Sequence, residues 1–421
     1  MIRSAWLLVG PVLLATACSN ATPPGDDEGD DDSSKDGKTA PVPSSSATAP
    51  AGQTNTQEPV APGAATIRVH YPAGSHTLGL RGSVAPLAAD KSTPLTAGAA
   101  DTYELALGVI AQTVEFTPTL DDKPAIGPKY VVKPGQTADV YPYFTAAKGE
   151  VVIKWADFKS KIHASTRNIR VYTPPSYKEN TAARYPVIYV HDGQTTFAGS
   201  TSPNQTVDGC LNADLAIDKG SETGTIAEAI IVGIDNGSSV LDLTGQKRIA
   251  EMSPTKSAQG GGEGPQYASM ITDEIKPMVD KEYRTKPERE STFTIGASMG
   301  GLISAYLAFD RHQVFGGFGT QSGALWWDNQ VMVTKAKNDI AAGKKPLRIY
   351  VDYGEGEAPE PDYTQKLVTP NQAFLKVAKE GGYVDGQTLL FNLGPKGSEH
   401  KSKSWGTRIP AAFTFLLGPG R

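Results

Sequence analysis

Residues 291–305 read STFTIGASMGGLISA. Phe293 and Ile295 alternate with polar neighbours, which predicts a short strand. Gly296-Ala297-Ser298-Met299-Gly300 then predicts a sharp turn, and Leu302, Ile303, Ala305 and Leu307 predict an apolar helix. A serine at the apex of a strand–turn–helix is lifted above the sheet edge, where its hydroxyl can react. The glycines have a steric job in this reading. Ser298 needs a strained backbone, and a β-carbon two residues before or after it would strike the neighbouring turn. The chain contains no second Gly-x-Ser-x-Gly.

The sequence around this stretch has an α/β rhythm from about residue 147 to the end. Expected strands are Asn168–Tyr172, Pro186–His191, Ala229–Ile234, Leu347–Asp352 and Thr388–Asn392. Helices are expected at Tyr267–Val279, at Pro370–Lys379 with Thr369 as its cap, and after Trp405. Near-continuous apolar strands alternating with helices predict a mostly parallel sheet covered on both faces. Residues 63–146 differ. Short alternating runs at 66–71, 103–107, 113–117 and 138–141, broken by Gly, Pro and Asp, predict a small all-β sandwich of Ig-like or starch-binding type. That region has no tryptophan, so a glycan platform there would rest on Tyr71, Tyr103, Tyr130 or Tyr143.

Residues 19–62 carry an acidic block and then a Pro/Ser/Ala/Thr run. Such composition cannot bury enough apolar surface to offset chain entropy, so it reads as a disordered tether. Its root-mean-square span would be about 35–40 Å. Residues 1–18 combine Arg3, an apolar run and small residues before Cys18, the pattern of an export signal. Leu14–Cys18 resembles a bacterial lipoprotein box, which implies cleavage before Cys18, lipid on its sulfur and membrane attachment at the cell envelope, with plain secretion as the alternative. Cys210 is then expected to fill a buried site without a partner inside the chain.

The bulk composition is that of an ordinary globular protein. A net charge of -5 and the lack of a basic stripe exclude a nucleic-acid binder. No Cys/His cluster has metal spacing, and the chemistry below needs no cofactor. A serine nucleophile needs a base, an orienting acid and an oxyanion hole. The elbow resembles that of α/β-hydrolases, in which serine, acid and histidine follow in that order. Only His312 and His400 follow Ser298, and His312 comes too soon for an acid-bearing strand to intervene. His400 is therefore the expected base. Asp352, Glu355, Glu357, Glu360 and Asp362 follow the next strand, and Glu357, in the loop after Gly354, is chosen among them. The oxyanion donors are expected to be the N–H groups of Met299 and of Gln194, with Gly193 permitting close approach. His191 reads as loop-shaping. Trp326, Trp327 and Gly193 are candidate substrate contacts.

Together with VYTPPSY (171–177), VIYVHDGQTTF (187–197), IIVGIDN (230–236), Arg248, Glu251, GGGEGPQY (260–267), SGALWW (322–327) and His400 with Trp405, these residues resemble one esterase family of α/β-hydrolases. It includes enterochelin, feruloyl and acetylxylan esterases, S-formylglutathione hydrolases and mycolyltransferases. The resemblance implies a serine esterase over residues 147–421 acting on a siderophore, a feruloyl or acetyl polysaccharide or another small ester. It also supports Glu357, because the family's acid often sits three residues after the strand's terminal glycine. The alternatives are an acyltransferase on the same scaffold and a non-catalytic surface-anchored lipoprotein.

Overall fold

The computed structural model describes residues 61–145, 147–199, 209–237, 245–354, 356–357 and 361–420. The signal-like segment with Cys18, the linker up to residue 60, and the candidate acids Glu355 and Glu360 lie outside them. Eight strands build the large sheet: β1 (Glu150–Lys159), β2 (Thr166–Thr173), β3 (Val187–His191), β4 (Ile230–Ile234), β5 (Thr292–Ala297), β6 (Gly317–Gln321), β7 (Arg348–Gly354) and β8 (Leu389–Gly394). Their order across the sheet is β1-β2-β4-β3-β5-β6-β7-β8. β2 pairs antiparallel with β1 and β4, and every other neighbouring pair is parallel.

The parallel part follows from composition. β3, β4 and β5 are buried along their whole length, so each must present apolar or hydrogen-bonded side chains to both faces. One face packs Ile188, Val190 and Ile231 against Ile217, Phe413 and Leu416 of the helices Ala213–Thr223 and Ile409–Leu417. The other packs Val187, Tyr189 and Val232 against Ile271, Leu302, Ile303 and Phe309. This is the expected α/β-hydrolase architecture. The turns that carry candidate residues leave the carboxyl ends of β3, β5, β6, β7 and β8, the edge at which open parallel sheets bind ligands.

β1, β6 and the helices Ala213–Thr223, Gln246–Met252 and Trp327–Ala341 have no counterpart in the sequence reading, and one helix starts earlier than expected. β6, GFGTQ, was not anticipated, because two glycines in five residues weaken a strand signal. The structure needs both, since a β-carbon at Gly317 would lie 2.7 Å from the Arg348 carbonyl oxygen and one at Gly319 2.6 Å from Ile295 Cδ1 of β5. β1 was also not anticipated. Of its ten residues none is buried, so it lacks the apolar alternation of a half-buried strand. The helix expected to start at Pro370 runs instead over Pro361–Glu380, with Pro370 inside it. Burial of Leu367, Phe374 and Ala378 offsets the lost backbone hydrogen bond there.

Residues 63–140 form two small sheets. One holds Gly63–His70, Thr96–Ala97, Thr102–Ile110 and Thr137–Val140; the other is built mainly on Leu78–Gly82, Val114–Leu120 and Tyr130–Val132. Ile67, Val69, Leu78, Leu80, Val114 and Phe116 fill the space between them. Tyr71, Tyr103, Tyr130 and Tyr143 belong to the interior, each 8% exposed or less. A glycan platform made from these four is therefore ruled out. The sandwich is fastened to the large domain: Asn180 Nδ2 donates to the carbonyls of His70 and Pro142, and Tyr71 Oη donates to Glu179.

Candidate active site

Ser298 stands between β5 and the helix Met299–Asp310 at φ 57°, ψ -118°. That conformation costs energy for a residue with a side chain and persists only where its surroundings enforce it. Here Ser298 N–H donates to the Gln321 carbonyl of β6, and the Ser298 carbonyl accepts from Gly301, Leu302 and Ala324. The expected sterics hold on one side of the serine. A β-carbon at Gly296 would lie 2.6 Å from the carbonyl carbon of Gly300. At Gly300 itself the nearest atoms would be 3.4 Å away, an ordinary contact, and the glycine that cannot change is Gly301, 2.4 Å from Thr320 Oγ1. Met299 opens the helix, so its N–H has no intrahelical acceptor.

The loop after β3 folds against this elbow. Asp192 adopts a left-handed conformation at φ 59°, and Gly193–Thr195 makes one 3-10 turn with Gln194 at its centre. Gly193 is required where it stands: a β-carbon there would lie 2.5 Å from the Gly233 carbonyl carbon of β4. That close fit is a packing role and leaves Gly193 buried. His191 is buried, with Nδ1 on Tyr267 Oη at 2.9 Å and Nε2 on Thr294 Oγ1 at 3.0 Å. Burial lowers its pKa to about 3, so the ring stays neutral and shapes the loop.

His400 and Glu357 meet. His400 Nδ1 lies 2.9 Å from Glu357 Oε2, and the His400 backbone N–H donates to the Glu357 carbonyl, also at 2.9 Å. Glu357 is 3% exposed. Burial alone would raise its pKa. Hydrogen bonds from His400, Ser322 and the Gly354 N–H outweigh burial and hold it below the ordinary glutamate value. The rival acids stand elsewhere. Asp352 lies within β7, with its carboxylate turned to Arg408 Nε (3.0 Å), Gln321 Nε2 (3.1 Å) and Tyr350 Oη (3.0 Å). Asp362 is exposed on the helix Pro361–Glu380.

Around Glu357 the structure adds residues that sequence reasoning missed. Ser322, at φ 46° and fully buried, donates its hydroxyl to Glu357 Oε1. It accepts from Trp405 Nε1 and from Arg408 Nη2, both at 3.0 Å. Arg408 Nη2 also reaches Glu357 Oε1 at 3.3 Å. The Trp405 ring stands edge-on to His400, centroids 4.9 Å apart. A single arginine in the apolar run RIPAAFTF was the available signal, because an isolated cation among core residues demands a buried anion.

Of the candidate substrate contacts, Trp327 is core: it is 1% exposed, its Nε1 donates to the Thr255 carbonyl, and Gly261 packs on its ring. Trp326 keeps exposed surface, and Lys366 Nζ sits 4.2 Å from its ring centroid. Cys210 is 4% exposed and fills a buried site, as expected. No group of three or more His, Cys, Asp or Glu could hold a metal among the described residues, and no helix among them is long and apolar enough to cross a membrane.

A family model described as "Putative esterase" matches residues 160–416, more than half of the chain. An uncharacterised protein of Bacillus subtilis is 25% identical over 272 residues, covering 62% of this chain and 97% of that one. The Aspergillus fumigatus siderophore triacetylfusarinine C esterase is 22% identical over 221 residues, covering 50% of this chain and 71% of the relative. An endo-1,4-beta-xylanase/feruloyl esterase of Xylanibacter ruminicola is 24% identical over 216 residues, 50% of this chain but only 27% of the relative's length. With the sheet order, the elbow and this match in agreement, the chain belongs to the putative esterase family and is a carboxylic ester hydrolase.

Proposed function

We propose that this chain hydrolyses a small carboxylic ester through an acyl-enzyme on Ser298. The observation that carries the reading is the pair of buried Glu357 and half-buried His400 at 2.9 Å, on the same sheet edge as the strained elbow. His400 Nε2 takes the Ser298 proton as Oγ attacks the ester carbonyl carbon. Collapse of the tetrahedral adduct expels the alkoxide, which leaves with that proton. Water then attacks the acyl-enzyme by the same route, releasing the acid and restoring Ser298. Glu357 holds the imidazole in one tautomer and stabilises its charged form. The N–H groups of Met299 and Gln194 receive the oxyanion, and losing one such donor typically costs about 2.7–4 kcal/mol.

Siderophore esters and feruloyl esters are the substrate classes that the named relatives support. A fluorophosphonate should label wild type on the peptide containing Ser298 and leave Ser298→Ala unlabelled. Labelling that survives the substitution overturns the assignment. Turnover of p-nitrophenyl acetate separates an esterase from a non-catalytic binding lipoprotein, and product analysis with added alcohol separates it from an acyltransferase.

We also propose export and lipid attachment at Cys18, on the strength of the sequence from Met1 to Cys18.

A further inference from the structure

The loop after β3 is held by a charge pair that the mechanism above does not use. Arg248, on the helix Gln246–Met252, grips Asp192 with both arms of its guanidinium: Nε to Oδ1 at 2.8 Å and Nη2 to Oδ2 at 2.7 Å. Nη2 also points at the carbonyl of Ala297, the residue before Ser298, at 3.4 Å. Asn236 completes the frame. Its Nδ2 donates to Asp192 Oδ1 at 2.7 Å, and its backbone N–H donates to Gln194 Oε1 at 3.1 Å. Asp192 itself abuts the elbow, since a β-carbon on Gly300 would come within 3.4 Å of its Oδ2. One cation thus ties together the residue before the nucleophile and the residue two before the second oxyanion donor.

The geometry points to Arg248 as a positioning residue for the oxyanion-binding loop. It fixes Asp192, and with it Gln194, against the elbow, and it cancels the Asp192 charge beside the place where the oxyanion forms. This rests on the acyl-enzyme reading of Ser298. Two physical consequences follow. A planar fork matched to a carboxylate fixes direction as well as distance, which an ammonium cannot do. An uncancelled carboxylate at this spot would oppose the developing oxyanion more than the neutral ground-state ester, so its cost falls on the transition state.

The test compares Arg248→Lys, Arg248→Gln, Asp192→Asn and the double variant Arg248→Gln/Asp192→Asn with wild type and Ser298→Ala. The readouts are kcat and KM on p-nitrophenyl acetate, unfolding midpoints in urea, and hydrogen exchange of the 192–197 backbone. Arg248→Gln should lose ~100-fold in kcat, the cost typical of an ångström-scale misplacement, with KM within about twofold. Exchange at 192–197 should rise. The double variant, which removes the stranded charge, should recover about tenfold of that loss. Arg248→Lys should fall between wild type and Arg248→Gln. A structural role alone would lower the unfolding midpoint without the selective kcat loss or the rescue, and that outcome overturns the proposal. Hydrolysis that needs Ser298 but ignores Arg248 retires the clamp and leaves the hydrolase reading standing. Wild type without esterase activity retires both.

Discussion

Ser322→Ala removes a hydroxyl whose hydrogen-bonding capacity is fully used. A serine hydroxyl has one donor and two acceptor sites. Here the donor goes to Glu357 Oε1, and the acceptors take Trp405 Nε1 and Arg408 Nη2. Alanine keeps the backbone at φ 46° and so isolates the hydroxyl. The lost bond to a carboxylate is worth about 1.5–3 kcal/mol, and leaving Trp405 Nε1 without its acceptor adds about 1 kcal/mol or more. Arg408 keeps its contacts to Asp352 and Glu357, so its cost is small. The expected loss of stability is about 3 kcal/mol, read from urea unfolding. With one of its donors gone, the Glu357 pKa should rise toward the ordinary value and the carboxylate should hold His400 less firmly. The expected fall in kcat on p-nitrophenyl acetate is ~10-fold, the factor that corresponds to about 1.4 kcal/mol. Trp405→Phe keeps the ring near His400 but removes the N–H, and should cost about 1 kcal/mol of stability with little change in kcat. A double-mutant cycle over Ser322→Ala and Trp405→Phe should return a coupling energy of about 1 kcal/mol, because both variants break the same bond. Stability within 0.5 kcal/mol of wild type, roughly the range of a neutral surface substitution, together with unchanged kcat would refute the reasoning.

Other expectations follow from the same geometry. Because the Glu357 pKa is depressed on folding, this group adds stability that is fully present above its unfolded value, near 4.3, and lost as pH falls through its folded value. The stability gap between wild type and Glu357→Gln should therefore be constant from about pH 6 upward and close below about pH 4; a gap independent of pH in urea melts would contradict this. Gly301→Ala should abolish soluble folded protein or cost several kcal/mol, whereas Gly300→Ala should be the milder change, judged by circular dichroism melts. Labelled palmitate should enter the protein in cells and vanish in Cys18→Ser. A peptide disulfide joining residues 18 and 210 would overturn that expectation, because a sulfur in a disulfide cannot also carry a thioether.

The legible part of this protein was local. The elbow could be read because its glycines and apolar helix stand in one run of sequence, and the choice of His400 rests on chain order, which leaves a single histidine in the right place. Glu357 could be narrowed to a loop but not separated from its neighbours by sequence spacing alone. What separates it is burial beside His400 and three donors on its oxygens, from Gly354, Ser322 and Arg408, which come from three different parts of the chain. β1 and β6 were illegible for opposite reasons. β1 is an exposed edge, so no periodicity marks it, and β6 is packed so closely that it must spend two of its five residues on glycine. Trp326 and Trp327 looked alike in sequence, and only packing shows that one is core and the other keeps a face to solvent.

The charges around Ser298 are arranged differently on its two sides, and the difference matches what each side must do. On the oxyanion side, Asp192 is matched by Arg248 and the donors are backbone dipoles. Arg248 thus offsets the Asp192 charge beside the elbow. On the base side, Arg408 sits between two buried carboxylates, with Nε on Asp352 and Nη2 on Glu357. Burial raises the Asp352 pKa, whereas Glu357 is held below its ordinary value, and the group facing Glu357 Oε2 is His400. In the proposed mechanism, His400 becomes positively charged beside Glu357 as it takes the serine proton. Stabilisation therefore grows as the reaction proceeds, which is the condition for lowering the barrier and not merely the ground state. If this is right, Arg408→Lys, which keeps the charge but cannot span both carboxylates, should disturb kcat more than KM. Equal changes in both would show that Arg408 serves packing alone.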